Sequence, residues 1–201
     1  MTKSTRPKRF PLLVYRRYHE LHRGVSVLLM AVGMVLATSA ALIRFIRPQA
    51  ISGDPRLLLW VGLVLLFFGL IRFLLTWGIS RVAYVQCTPR NVKIQTPFTP
   101  VVFSYARITG TRPQNVGDVF PPKAQKGSRR AILEGLWGET VIVVDLKGYP
   151  QMSKRMLRLL MGPFLLTPRG AGFVFLVKDW MSLNRELAMY QEHWRARAGV
   201  R

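Results

Sequence analysis

The sequence predicts a membrane protein of the α+β class, with an N-terminal hairpin of two transmembrane helices before a small, mostly β domain. Two apolar runs, about residues 24–43 and 57–79, each approach the roughly 20 residues that a helix needs to cross a bilayer. After Ser80 the pattern changes to short β-favourable segments separated by turns rich in proline and glycine. From Asp179 onwards, apolar residues recur at helical spacing, which predicts an amphipathic helix that closes the β domain.

The charge distribution predicts which side of the membrane each part occupies. The chain carries a net charge of +21, and its basic residues are concentrated in residues 1–23 and after residue 79 rather than in the predicted turn at 47–56. Because short cytoplasmic segments are enriched in Lys and Arg, we expect a multi-pass protein of the cell (inner) membrane with both termini in the cytoplasm. A cleaved secretory signal over residues 1–41 is the alternative, but its basic n-region would be unusually long.

Small residues recur along both predicted membrane helices. Gly33, Ala37 and Ala41 are spaced four residues apart in the first helix, and Gly62 and Gly69 lie two turns apart in the second. Small side chains let helix backbones approach closely in lipid. The pattern favours either a tight hairpin or a docking face for another membrane subunit.

Three further residues of the second helix suit a membrane boundary. Trp60 and Trp77 lie near its ends, as expected for aromatic residues at the two interfaces. Arg72 lies between them, and its stem is long enough to carry the guanidinium to the cytoplasmic headgroups. The alternative is that Arg72 is buried and has a functional role.

The β domain, predicted over 81–196, contains six strand candidates. They are residues 81–87, 92–95, 101–105, 108–112, 140–146 and 172–178. Residues 113–130 are rich in Pro, Gly and Lys and predict a loop, and 133–137 predict one helical turn. The closing helix is predicted over 179–196 with Asp179 as its N-cap, leaving 197–201 as a tail. Its apolar stripe is expected to pack on the β domain through Trp180, Leu183, Leu187, Tyr190 and Trp194.

Two segments of this domain resemble a known family. Tyr84–Ile94 contain a strand, a Thr-x-Arg turn and a second strand, and Ile132–Val141 contain a glycine turn that leads into a strand. With the two preceding helices and the closing helix, they resemble the bacterial pleckstrin-homology-like, membrane-flanked domain family over residues 81–196. The resemblance implies a seven-stranded fold and a binding or scaffold module rather than an enzyme. The long loop at 113–130 and the apolar stretch at 149–171 depart from the family's pattern.

The sequence contains no convincing catalytic, metal or cofactor constellation. His19-Glu20-Leu21-His22 resembles a zinc-protease motif, but that motif requires its second histidine at position 23, which is Arg. The acidic residues of the β domain are scattered without paired spacing. We therefore expect a protein that is not an enzyme and needs no cofactor.

Clustered cations are the main functional signal. One cluster lies in the predicted loop and one follows the fifth strand candidate; together they comprise Lys123, Lys126, Arg129, Arg130, Lys154, Arg155 and Arg158. Such clusters favour contact with anionic lipid headgroups. The alternative is a basic surface that faces only solvent. Nucleic acid is disfavoured as a ligand because the sequence lacks a recognised nucleic-acid-binding motif. Residues 152–166, apolar but broken by Gly162-Pro163, are expected to face the membrane interface or else to form a buried strand and turn.

These observations predict a non-enzymatic module anchored in the membrane by its helices and exposed to the cytoplasm. Its basic surface would contact anionic lipid, a partner protein, or both. The alternative is an accessory or assembly subunit of a larger membrane complex, docked through its transmembrane helices.

Overall fold

A computed structural model describes residues 7–46, 55–150 and 152–199. The chain forms two compact units. Tyr18–Gly78 form one, called here the helical unit, and the residues up to Arg17 together with those from Ile79 onwards form the other, called the sheet domain. The α+β prediction is confirmed, whereas the predicted turn at 47–56 falls largely outside the described residues.

Two long helices dominate the first part of the chain. Helix α1 spans Leu13–Ile46 and α2 spans Pro55–Val82. Both are long and apolar enough to cross a membrane, judged by length and composition. The first helix begins at Leu13, so the described part of the segment predicted over residues 1–23 is divided between a short strand and this helix.

Within the helical unit, small residues bring the two helices into backbone contact. A Cβ atom added to Gly62 would lie 2.7 Å from the Ala37 amide nitrogen and 2.8 Å from the Gly33 carbonyl oxygen. The same addition at Gly69 would meet the carbonyl oxygen of Ser26 at 3.0 Å. Close contact of this kind needs glycine because any side chain would push the backbones apart.

The predicted small-residue face needs one correction at its end. Ala41 is exposed to the surroundings, and the neighbouring Ala40 is buried in its place. Four-residue spacing gains about 40° per step over the 3.6-residue turn, so a straight stripe drifts off the contact. The contact instead follows alternating steps of three and four residues.

The described residues of the sheet domain form seven strands in two antiparallel sheets, ordered β1-β2-β3-β4 and β5-β6-β7. The strands are β1 Arg9–Pro11, β2 Tyr84–Cys87, β3 Asn91–Gln95, β4 Pro100–Ser104, β5 Ile108–Asn115, β6 Thr140–Leu146 and β7 Gly172–Phe175. Six of them correspond to the predicted candidates. The first candidate is shortened, because residues 81 and 82 continue α2.

The additional strand comes from the chain that precedes α1. In β1, Phe10 is paired with Val85 of β2, and both Phe10 and Leu12 are buried in the core. Lys8 donates a 2.7 Å hydrogen bond to the Asp179 carboxylate. The predicted domain boundary at residue 81 is therefore wrong, since the domain also includes residues that precede the helical unit in the sequence.

A first apolar core contains side chains of both sheets and of α6, which spans Trp180–Ala198. Leu183 and Leu187 are completely buried in it, and Trp180 packs against its edge. The Asp179 carboxylate caps the helix by accepting a 3.2 Å hydrogen bond from the Ser182 amide. The predicted closing helix and its N-cap are confirmed.

A second apolar core covers the other face of the three-stranded sheet. Two helices, α3 Val116–Val119 and α4 Gly127–Glu134, supply part of it, and β6 contributes Val141 and Val143. The predicted loop at 113–130 instead contains the end of β5, α3 and the first half of α4. The helical turn predicted at 133–137 covers the last residues of α4 and the turn that follows it. The chain in this region uses its apolar residues to cover a sheet that would otherwise expose one face.

Helix α5, Lys154–Met161, occupies the segment predicted as an interfacial stretch or a buried strand and turn. The Ser153 hydroxyl caps it by accepting a 3.3 Å hydrogen bond from the Met156 amide. It ends at Gly162, whose φ of +78° suits glycine. The strand alternative is wrong: Leu157 is buried, while Leu159, 81% exposed, lies on the opposite face.

A candidate anion-binding pocket

A cavity of about 220 Å³ opens on the sheet domain between α4, α5 and the turns on either side of them. We call it the basic pocket. Its lining comprises Phe120, Gln125, Arg129, Lys154, Arg158, Pro163, Phe164, Leu166, Thr167 and Pro168. Cavities that hold drug-sized ligands usually measure roughly 300–1,000 Å³, so this one suits a smaller chemical group.

Three cations from two separate helices line this cavity. Arg129 comes from α4, whereas Lys154 and Arg158 come from α5. Lys154 and Arg158 are four residues apart, a spacing that places them on one face of a helix. One cation of the first predicted cluster and two of the second are therefore brought together in one site.

The position of Lys154 is fixed by backbone oxygens. Its ammonium donates hydrogen bonds to the carbonyl oxygens of Gly170 at 3.1 Å and of Pro168 at 3.4 Å. Neutral carbonyls hold the ammonium without cancelling its charge. An ammonium has three donors, so one N–H remains for a ligand.

The remaining lining is neutral. Phe120 and Phe164 meet edge to face with their ring centroids 6.3 Å apart. Thr167 is buried, and its hydroxyl donates to the Gly172 carbonyl oxygen at 3.4 Å. The described lining contains no carboxylate. An anion in this cavity would meet three positive charges, all on exposed side chains, beside an aromatic wall.

All seven predicted basic residues are exposed, and four of them do not line the cavity. These four are Lys123, Lys126, Arg130 and Arg155. Sequence reasoning, in turn, missed the uncharged members such as Gln125 and Thr167. Their contribution depends on the folding of α4 and α5 against the sheet, and neither residue type stands out in its local sequence.

Another group of titratable side chains consists of Cys87 and Tyr105 in the first core and the partly buried Glu186, and it does not form a reactive site. Burial raises the pKa of the Cys87 thiol to about 12, with a smaller contribution from the charge of Glu186. Burial likewise raises the pKa of Glu186 and that of Tyr105. The Tyr105 hydroxyl donates a 2.8 Å hydrogen bond to the Thr88 carbonyl oxygen. A protonated, buried thiol is a poor nucleophile, so these groups are part of the packing.

The helical unit carries polar groups of its own. His19 Nδ1 lies 3.0 Å from the Thr76 hydroxyl oxygen. Arg72 is half-buried, and its Nε atom is buried without a hydrogen-bond partner among the described residues. Trp60 and Trp77 are both largely exposed on α2, as side chains at a lipid interface would be.

Metal chemistry has no evident site in the part of the chain that the structure describes, where no group of three or more His, Cys, Asp or Glu side chains could hold an ion. Comparisons of the chain with protein-family models, with curated protein sequences and with solved structures find no significant match. The basic pocket is therefore assigned from the geometry of the chain's own residues.

Proposed function

We propose that this protein is a non-enzymatic, membrane-anchored binding module whose sheet domain holds anionic groups at the cytoplasmic face of the cell membrane. The observation that carries the proposal is the convergence of Arg129, Lys154 and Arg158 on one cavity without a carboxylate in its described lining. Anionic lipid is the ligand we favour because each cation near an anionic leaflet contributes about 1 kcal/mol.

Helix α5 supports contact with a lipid surface. Beside the cations of the basic pocket, it exposes Arg155, Met156 and Leu159. Apolar side chains next to cations are typical of helices that lie at the membrane interface. The earlier expectation that residues 152–166 face the membrane becomes, in this proposal, a statement about the exposed face of α5 only.

Chain connectivity supports the proposed topology. Strand β1 precedes α1, strand β2 follows α2, and the two strands pair directly. If each helix crosses the bilayer once, the chain returns to the side of the membrane from which it started. Both strands then lie on the same side, as their pairing requires. The bias of basic residues towards these flanks favours the cytoplasm for that side.

The pleckstrin-homology-like assignment is part of the proposal. The resemblance over residues 81–196 implied seven strands. The described part of the sheet domain has seven in sheets of four and three, but six of them lie within 81–196 and the seventh, β1, precedes α1. A C-terminal helix closes the domain. Modules of that kind bind lipids or proteins rather than catalyse reactions. The insertion that forms α3 and α4 is an addition to this plan, and it supplies one wall of the basic pocket.

An accessory or assembly subunit of a larger membrane complex is the second candidate. Its original support was the small-residue face, which here is occupied within the chain: Gly33, Ala37 and Gly62 pack the two helices against each other. A partner subunit would therefore have to use the outward faces of α1 and α2. Gentle solubilisation followed by native mass measurement tests this candidate, because a stoichiometric partner would favour it.

The lipid proposal is tested with the full-length protein in nanodiscs. A fluorophore on a Leu159→Cys variant should be quenched by spin-labelled lipid more strongly in anionic than in neutral nanodiscs, and salt should reduce the difference. Cys87 can stay in place, since it is buried. Equal quenching in both lipids would overturn the proposal. Labelling of a Lys126→Cys variant from outside intact cells would contradict the topology.

A further inference from the structure

We infer that the basic pocket recognises a phosphate monoester, the doubly charged group that ends some lipid headgroups and many soluble metabolites. This inference rests on the proposed function and makes it more specific, because a merely basic surface would respond to any negative charge. Three features support it: the number of positive charges, the kinds of donor and the size of the cavity.

The charge balance favours a doubly charged ligand. Arg129, Lys154 and Arg158 place three positive charges around one cavity of about 220 Å³, and its described lining offers no carboxylate to offset them. A phosphate monoester carries about −1.5 to −2 charges at pH 7. A phosphodiester or a carboxylate carries a single charge and would leave more of the positive charge unbalanced.

The donors match the oxygens of a terminal phosphate. Each arginine presents a planar fork that can bond two phosphate oxygens at once. Lys154 is already held by two carbonyl oxygens and has one N–H left to donate. A monoester exposes three terminal oxygens to these donors, whereas a diester has only two and is linked to carbon on both sides.

The neutral side of the pocket suits the carbon that bears the phosphate. Phe120, Phe164 and Pro168 provide an apolar wall beside the cations. The cavity accommodates a phosphate and a short carbon unit such as glycerol, and it is too small for a nucleotide or a drug-sized molecule. Both a lipid with a terminal phosphate and a soluble phosphate monoester have this chemistry.

The test uses the full-length protein in nanodiscs, with calorimetry for soluble ligands and the Leu159→Cys fluorophore for lipids. Glycerol 3-phosphate is the monoester probe and dimethyl phosphate the diester control. Phosphatidic acid and phosphatidylglycerol are compared at equal total lipid charge. We expect the monoester of each pair to be preferred, and Arg158→Gln to weaken binding about ten- to hundredfold, as for loss of a charge-assisted hydrogen bond.

Matched variants separate the pocket from its surroundings. Arg155→Gln removes the same charge from the same helix outside the cavity and should change the affinity for glycerol 3-phosphate in neutral nanodiscs less than threefold. Arg129→Gln removes a cation from the other wall and should reproduce the effect of Arg158→Gln. Protection of the Cys87 thiol from labelling verifies that each variant is folded.

The outcomes distinguish the two sources and the two proposals. Binding of glycerol 3-phosphate in neutral nanodiscs identifies a soluble monoester as sufficient, whereas a preference for phosphatidic acid without such binding identifies the lipid. Equal responses to both lipids, with Arg155→Gln as harmful as Arg158→Gln, would overturn the inference and leave the proposed function intact. Indifference to every anionic lipid and to both soluble ligands would overturn both.

Discussion

Replacing Phe10 with alanine tests whether the strand before α1 is an integral part of the sheet domain. Strand β1 is only three residues long, so its few hydrogen bonds to β2 cannot hold it alone. Phe10 is 1% exposed and lies in the first core. Removing a buried phenylalanine side chain costs about 3–5 kcal/mol, a large part of the roughly 5–15 kcal/mol that stabilises a typical domain.

The single cysteine of the chain offers a direct measurement. Cys87 is fully buried in β2, the strand that pairs with β1, and its pKa is raised to about 12 by burial. It therefore reacts with a thiol reagent at pH 8 only when the sheet opens. Each 1.4 kcal/mol of lost stability raises the open population tenfold, so Phe10→Ala should speed labelling roughly 100- to 4,000-fold.

A matched control is available in the same domain. Phe98 lies between β3 and β4 and is 70% exposed, so Phe98→Ala removes the same side chain with little loss of buried area. It should change the labelling rate by less than about fivefold, the equivalent of 1 kcal/mol. If Phe10→Ala labels within threefold of the parent, β1 does not support the domain and the assignment of the N-terminal residues is wrong.

Three further predictions concern packing and charge. Gly62→Leu should lower the midpoint of thermal unfolding of the detergent-solubilised protein, because the added Cβ would lie 2.7 Å from a backbone atom of the other helix. Gly78→Leu is the control, since a Cβ there meets nothing within 4 Å and should leave the midpoint unchanged. Equal midpoints for the two variants would contradict the helix contact. The hydrogen bond from Lys8 holds the pKa of Asp179 near 2. The stabilisation by the Asp179 carboxylate is thus present above about pH 4 and is lost as the pH falls towards 2. In the Asp179→Asn variant, the free energy of unfolding should therefore depend less on pH between 4 and 2. The same pH dependence in variant and parent would contradict this prediction. Leu187→Asp places a charge in the core and should unfold the sheet domain, which would be measured as rapid labelling of the Cys87 thiol. A labelling rate as slow as that of the parent would refute the packing of α6.

The elements that the sequence determined are those whose signal lies within a short stretch of chain. Residues 24–43 and 57–79 are apolar apart from Arg72 and a few serines and threonines, so their helices follow from composition. The closing helix follows from its 3.6-residue stripe and from Asp179, since both the cap and the buried face are local features. Six strands follow from their β-favourable residues and the turns between them.

Tertiary structure decided the elements that depend on distant partners. Strand β1, Arg-Phe-Pro, is too short to show a periodic pattern. It is extended because it pairs with β2, which follows it in the sequence only after both long helices. Helices α3 and α4 form in a stretch rich in helix breakers because the second face of β6 needs covering. A trace of this was present in the sequence: Val141–Val144 is an uninterrupted apolar run, which indicates a strand buried on both faces.

The basic pocket shows the same division at the level of the site. Residue type and clustering alone marked Arg129, Lys154 and Arg158 as candidates, because lysines and arginines without paired acids are exposed and attract anions. Which of the seven predicted cations share a cavity depends on how α4 and α5 pack against the sheet. That packing is set by buried apolar side chains such as Leu133 and Leu157. Their burial fixes the rotation of each helix about its axis, and with it the direction in which the cations point.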